Sequence, residues 1–248
     1  MKLPNSIQIQ TVDYCNRRCS FCPNSRIEKS PTNLMNKKIY LKIIEDLKIV
    51  NYKGAIHLYL MAEPLCDLRM PELISIARLF LPENIIFIST NGDYLKTKED
   101  VQRLFDAGLT WMGVSHYDKK NEHLKDYVEF PTMVHTSLET LKINFYNRGG
   151  NIPMGCEYPV IFCNWIFGKG YINYKGDMIV CCSDYQYKTV IGNVMERSFI
   201  DLYNSEKYEF YRQKHTERNI SGLPLCRDCN RIIKKEEWIS STTRLEIS

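Results

Sequence analysis

Apolar and polar residues alternate in Ser6-Ile7-Gln8-Ile9-Gln10-Thr11-Val12, and this period-two pattern predicts a strand from Ile7 to Val12. The period changes in residues 37 to 50, where Tyr40, Ile43, Ile44, Leu47 and Val50 fall on one helical face, with Asn36 placed to cap the N-terminus. The alternation of the two periods continues. A second strand is expected from Ala55 to Leu60. A helix is expected from Pro71 to Leu81, its proline in the first turn. Ile85 to Ser89 is a near-continuous apolar run, read as a third strand covered on both faces. A helix over Thr97 to Ala107 is stopped by Gly108, and a fourth strand spans Trp111 to Ser115. A short polar helix around Glu122 to Tyr127 and a fifth strand near Leu141 to Tyr146 complete the series.

Alternating strands and helices predict an α/β fold with a mainly parallel sheet. Roughly 160 residues separate Ser6 from Cys163, and at about 30 residues per βαβ step they supply about five strands, too few for an eightfold barrel. The expected architecture is a partial, open TIM-like βα barrel of about five to six parallel strands, with its site at the strands' carboxyl ends. After Arg148-Gly149-Gly150 the texture changes. Tyr171-Ile172-Asn173-Tyr174 and Met178-Ile179-Val180 flank Lys175-Gly176-Asp177, a hairpin signal. A helix from about Phe199 to Gln213 follows, then Cys226-Arg227-Asp228-Cys229 and, after Arg231, a polar tail. The domains are expected at 1–150 and 151–248, the second a small cysteine-rich β-hairpin/helix module.

Composition narrows the function classes. Hydrophobic residues make up 44% and charged residues 25% of the 248, as in ordinary globular proteins. No run approaches the roughly 18 apolar residues of a membrane span, and the N-terminus lacks an apolar signal region, so no membrane partner and a cytoplasmic location are expected. There the ten cysteines read as metal ligands or free thiols rather than disulfides. The net charge of +4 is scattered, and doublets such as Lys119-Lys120 have acidic neighbours. With no basic stripe, nucleic acid is not expected as a partner.

The cysteines carry the chemistry. Cys15, Cys19 and Cys22 form C-x3-C-x2-C directly after the first strand. Three thiols cannot all pair with one another, and three ligands leave a four-site centre one short. Soft thiolates select iron–sulfur clusters or zinc, and a structural zinc wants four closed ligands. A second set, Cys163, Cys181, Cys226 and Cys229, could hold structural zinc or a second cluster; Cys66, Cys156 and Cys182 are left over.

The triple-cysteine loop, with Phe21 before its last cysteine, resembles the fingerprint of the radical S-adenosylmethionine (SAM) superfamily. The resemblance implies that Cys15, Cys19 and Cys22 hold three irons of a 4Fe–4S cluster and leave the fourth for SAM, whose cleavage yields a 5′-deoxyadenosyl radical. Met61-Ala62-Glu63-Pro64 is similar to the family's G-G-E-P motif and implies that Glu63 binds the SAM amino group. Ser89-Thr90-Asn91-Gly92 is similar to its ribose- and carboxylate-contacting segment, implying roles for Ser89, Asn91 and Gly92. Ser115 and His116 are weaker candidates for the same cofactor.

The second set resembles the family's shortened auxiliary-cluster module, the twitch: one cysteine before a hairpin, one after it, a helix, then C-x2-C. This implies a second 4Fe–4S cluster, fully ligated by cysteine. The layout is most similar to family members that oxidise a secondary alcohol of an aminocyclitol. Arg148 matches an arginine that lies beside their substrate, and since arginine stays charged, orienting the substrate hydroxyl is the role implied. Two departures fall at pocket positions. Those enzymes have tyrosine where Met61 stands, and phenylalanine and glutamate where Cys182 and Ser183 stand. The implied activity is oxidation of a small polar, sugar-like substrate, with flavodoxin or ferredoxin as electron donor. Epimerisation, with Cys66, Cys156 or Cys182 returning a hydrogen atom, stays open, although a buried free thiol is the commoner state. Peptide maturation also stays open, but a first strand near Ser6 leaves no room before it for a leader-binding domain.

Overall fold

The computed structural model describes residues 1–142, 146–153 and 162–231. Its centre is an open eight-stranded sheet in the order β5-β4-β3-β2-β1-β6-β7-β8. The strands are β1 (Ser6–Ile9), β2 (Ala55–His57), β3 (Ile86–Thr90), β4 (Trp111–His116), β5 (Met133–Ser137), β6 (Lys169–Ile172), β7 (Asp177–Ile179) and β8 (Val190–Asn193). The pairings from β5 across to β6 are all parallel, and β7 and β8 are added antiparallel. The parallel count therefore reaches six, and the sheet does not close.

Helices α1 (Lys37–Ile49), α2 (Met70–Phe80) and α3 (Lys98–Asp106) connect successive parallel strands. Asn36 caps α1 by accepting from the Lys38 N–H, and Thr97 with Asp100 forms a capping box on α3. Gly108, at φ +103, ends α3 where only glycine is comfortable. The helices bury Tyr40, Ile43, Ile44, Leu47, Leu73, Ile74, Val101 and Leu104 in the main core, against the same strand positions throughout: Ile7, Ile9, Ile56, Ile86, Ile88, Met112 and Val114.

The other face differs. Phe87 and Ser89 point away from the core, and β3 alternates in burial rather than being covered alike on both sides. The apolar run was therefore misleading: Phe87 instead packs edge-on to His57 and Tyr59 on the concave side. Two other expectations are corrected. The fifth strand lies at Met133–Ser137, selected by pairing with β4 rather than by its own weak pattern. Leu138–Lys142 is a short helix, α4, while 143–145 fall outside the described residues. The single helix expected from Phe199 to Gln213 is two, α6 (Phe199–Tyr203) and α7 (Glu206–Thr216), because the Ser205 hydroxyl accepts from the Tyr208 N–H and starts a new helix.

The hairpin residues do not stand apart from the barrel. A short helix, α5 (Trp165–Gly168), leads into β6, which pairs in parallel with β1: Lys169 opposite Ser6, Gly170 opposite Ile7, Tyr171 opposite Gln8. Gly170 faces α6, where an added Cβ would lie 2.3 Å from the Phe199 ring. Gly170→Val is expected to cost about 1–3 kcal/mol of stability by overpacking. Gly222→Ala, where nothing lies within 4 Å, is expected to stay within about 0.5 kcal/mol; anaerobic denaturant titration compares the two.

Candidate active site and auxiliary chamber

The loop after β1 is closed at its base by a Val12–Leu34 bridge, by the Asp13 and Met35 N–H groups donating to Asn33 and Thr11, and by a buried Lys29–Asp13 ion pair. Within it the Cys22 N–H donates to the Cys19 carbonyl (2.9 Å), beginning a single 3₁₀ turn at Pro23–Ser25. Two clamps fix the loop over the sheet. The Asn24 side-chain amide donates to the Met61 carbonyl at 2.8 Å. Arg17 donates to Asp93 (2.7 Å) and Asp118 (3.1 Å), tying the loop to the segments after β3 and β4.

The result is a cavity of about 420 Å³ at the carboxyl ends of the parallel strands. Cys15, Cys19 and Cys22 line it with Phe21, whose ring lies 5.6 Å from that of Tyr117. Glu63, Ser89, Asn91 and Ser115 also line it. Arg148, Trp165, Lys169, Cys182 and Tyr185 complete its wall, the Tyr185 hydroxyl lying 3.9 Å from Cys22 Sγ. Residues from Gln8 to Tyr185 along the chain thus meet around one space.

Glu63 is almost fully buried. It accepts from the Thr90 hydroxyl (2.6 Å), the Asn91 N–H (2.8 Å) and the Leu65 N–H (3.1 Å). Burial pushes its carboxyl up to about 7, with those three hydrogen bonds opposing the shift. Thr90 therefore belongs to the site, although only its neighbours were selected from the motif.

Two candidates do not line the cavity. Gly92, at φ +74, makes the turn after β3 and packs on Asn121. His116 points to the opposite side from Ser115 and Tyr117, because side chains alternate along a strand. It bonds Asn121 (2.8 Å) and His135 (2.7 Å). The Asn121 amide donates to the Asn91 and Ser115 carbonyls (2.6 and 3.3 Å), so its oxygen accepts from His116 Nδ1–H. The expected cofactor contact is thus a buttress behind the loop, acting through Asn121. Cys66 also lies off the cavity, beside Tyr94 (3.5 Å) and Asn16. Cys156 lies outside the described residues.

Behind Trp165 is a second, small, apolar cavity of about 40 Å³. Cys163, Cys181, Cys226 and Cys229 all line it, as do Gly149, Trp165 and His215. The Cys229 N–H donates to the Cys226 carbonyl (3.1 Å), and His215 Nδ1 accepts from the Cys163 N–H (3.1 Å). Asn147 clasps this last loop. Its N–H donates to Asn230 (2.7 Å), its side-chain amide donates to the Asp228 carbonyl (2.6 Å), and its oxygen accepts from the Asn230 N–H (3.1 Å). The clasp holds Arg148 at φ +51, a conformation unfavourable outside glycine. Arg148 thereby lines the larger cavity, its guanidinium donating to the Tyr146 hydroxyl (3.1 Å), while its neighbour Gly149 lines the smaller one.

The donor sets suit iron–sulfur clusters. All the described cysteines are free thiols. Burial pushes Cys15 and Cys226 up to about 12 and raises Cys19, Cys163 and Cys229, so the thiolates require a bound metal to stabilise them. Among the described residues no three His, Cys, Asp or Glu side chains converge on a point that would hold one ion. A tetrahedral zinc needs its sulfurs about 2.3 Å from such a point, whereas a multi-iron cluster takes ligands spread around it.

The chain belongs to the radical SAM superfamily, whose profile matches residues 9–148. An iron–sulfur cluster-binding domain, SPASM, matches residues 163–230. Its cofactors are SAM and iron–sulfur clusters. A curated relative is the S-adenosyl-L-methionine-dependent 2-deoxy-scyllo-inosamine dehydrogenase of Niallia circulans, 25% identical over 245 residues, covering 95% of this chain and 96% of that one. Among solved structures, BtrN in complex with AdoMet and 2-DOIA matches with a TM-score of 0.84 at 23% identity, over 93% of this chain and 94% of that one. Native anSMEcpe with bound AdoMet matches with a TM-score of 0.59 at 14% identity, over 83% and 82%. These two structural likenesses establish the fold. Among the described residues no helix is long and apolar enough to cross a membrane.

Asn121 is fully enclosed behind the cofactor loop and satisfies three groups at once. Asn121→Ala is expected to cost about 1–3 kcal/mol by stranding them, and to weaken SAM binding without reducing iron content. Denaturant titration and iron analysis of the same preparation check the two together.

Proposed function

We propose that this enzyme oxidises a secondary alcohol of a small polar, sugar- or cyclitol-like molecule to a ketone. The carrying observation is the shared Trp165 wall: the cavity holding three thiols and Glu63 abuts the four-cysteine chamber, with Arg148 lining the first and its neighbour Gly149 the second. Alcohol oxidation removes two electrons and two protons. Bound at its cluster, SAM would supply a radical able to take one hydrogen atom. The remaining electron would have an acceptor in the adjacent second chamber, and the hydroxyl proton would leave to solvent.

In this reading Cys15, Cys19 and Cys22 hold the SAM-cleaving cluster, and Cys163, Cys181, Cys226 and Cys229 hold the auxiliary one. Glu63 accepts from the SAM ammonium. Thr90 and Asn91 keep that carboxylate aimed inward, and Ser89, Asn91 and Ser115 line the space for the rest of SAM. Phe21 and Tyr117 close the cavity over the cysteine loop against water. Arg148 orients the substrate hydroxyl; the pull of the Tyr146 and Tyr185 oxygens and the Cys182 sulfur outweighs burial and keeps it charged. Flavodoxin or ferredoxin is the electron donor in keeping with this chemistry, and a reducing cytoplasm the location. One observation favours a second reading: Cys182 lines the cavity, where a thiol returning a hydrogen atom to carbon would make the enzyme an epimerase.

The deciding experiment is a single anaerobic turnover in deuterium oxide with candidate sugars and cyclitols. A ketone two mass units lighter than substrate, formed equally by Cys182→Ala, is the expected result. One solvent deuterium on carbon, lost in Cys182→Ala, identifies the epimerase.

Replacing Cys15, Cys19 and Cys22 together by alanine is expected to lower iron from about eight to about four atoms per chain and to abolish 5′-deoxyadenosine formation.

Glu63→Gln is expected to raise the SAM dissociation constant about tenfold to a hundredfold, the loss of one charge-assisted hydrogen bond. The pH dependence has a definite sign. With its carboxyl pushed up to about 7, Glu63 is increasingly protonated below neutrality, and a neutral acid no longer attracts an ammonium. SAM affinity therefore falls as pH drops through about 7 and levels off above it; anaerobic calorimetry reads both effects, and Glu63→Gln removes the dependence.

A further inference from the structure

The cavity is electrostatically lopsided. Its carboxylate, Glu63, is at the end nearest the cysteine loop and is already engaged by Thr90 and Asn91. Of the cations lining it, Arg17 is neutralised by Asp93 and Asp118. Arg148 and Lys169 remain. Arg148 lies 4.6 Å over the Tyr146 ring and bonds its hydroxyl, and the Lys169 ammonium lies 4.5 Å over the Trp165 ring. Among the described residues neither has a carboxylate partner, and no acidic residue lines their end of the cavity.

Both positions are imposed by the backbone. Lys169 opposes Ser6 in the β1–β6 register, two residues before Tyr171 opposite Gln8, and so faces the cavity as Gln8 does. Arg148 is held by the Asn147 clasp in a left-handed conformation. Both cations line the same cavity, and a buried charge without a partner is costly. Neither cation lines the four-cysteine chamber.

We propose that the substrate is an acid: a sugar or cyclitol bearing a carboxylate or a phosphate, whose anion is held by Lys169 while Arg148 orients its hydroxyl. This rests on the alcohol-oxidation reading above and reverses the charge an amino-substituted ring would bring. Lys169, over the Trp165 ring, gives the anion its grip, and Arg148 adds positive charge to the same cavity.

The test uses the full chain, anaerobically reconstituted and loaded with SAM. Calorimetry compares one ring with four charges: glucuronate, glucose 6-phosphate, glucose and glucosamine. The expected result is that at least one acid binds at least tenfold more tightly than glucose, with glucosamine weakest. The better acid distinguishes carboxylate from phosphate. Lys169→Met is expected to abolish that preference while leaving SAM affinity and the auxiliary cluster's reduction potential unchanged. Failure of both acids to bind, or glucose or glucosamine binding as tightly, overturns the proposal. So does a Lys169→Met variant that keeps the preference and shifts the auxiliary potential, for then the cation balances the cluster. Should Lys169→Met not fold, the wild-type salt dependence decides: acid binding weakens with ionic strength and glucose binding does not, or the proposal fails. An acid that binds but is not oxidised upholds the grip and removes the dehydrogenase reading. Glucosamine oxidised without any preference for acids does the reverse.

Discussion

β1 is bonded on both edges, by β2 on one side and β6 on the other, both parallel. This double pairing fixes Ser6–Ile9 in two directions at once, and with it the starting point of the cysteine loop. It also decides where the second half of the chain can go. Once Lys169–Ile172 is laid beside β1, the β6–β7 turn and the Cys181-Cys182 pair after β7 follow from hairpin geometry. Without β6 in that position the four-cysteine chamber would have no fixed relation to the cavity, and Trp165 could not serve as a wall to both.

The two chambers manage charge differently. The auxiliary one is apolar, with thiols pushed toward the protonated state by burial, and is suited to a group that arrives with its own positive charge. The larger one sets a buried carboxylate, Glu63, three cations, Arg17, Arg148 and Lys169, and neutral hydroxyls and amides among apolar side chains. Charges of both signs in one space can orient a ligand before any bond is made or broken. Shape alone could not achieve that in a space of about 420 Å³.

Much of this was legible in the sequence because it is local. The cysteine spacing, the Glu63-Pro64 turn and the Ser89–Gly92 segment each lie within a few residues, and the caps Asn36 and Thr97 with the stop Gly108 mark helix ends by their own chemistry. What stayed hidden depends on pairing across the chain. β5 is a strand because β4 offers it an edge, not because Met133–Ser137 has a strong pattern. β3 looked covered on both faces because Phe87 is apolar, yet it faces the concave side. His116 was placed with Ser115 by adjacency, whereas the period of two sends it the other way. Lys169 and Trp165 carry no motif and acquire meaning only when β6 meets β1. Tyr117 was within reach of the sequence, two positions along the same strand face as Ser115.

The Asn147 clasp has a consequence for assembly. The residue next to it, Arg148, takes its conformation from a loop that also carries Cys226 and Cys229. A chain whose last cysteines are not yet gathered has no closed loop for Asn147 to grip, and so no fixed guanidinium in the cavity. Gathering of the distal loop and placement of that guanidinium are thus linked through Asn147.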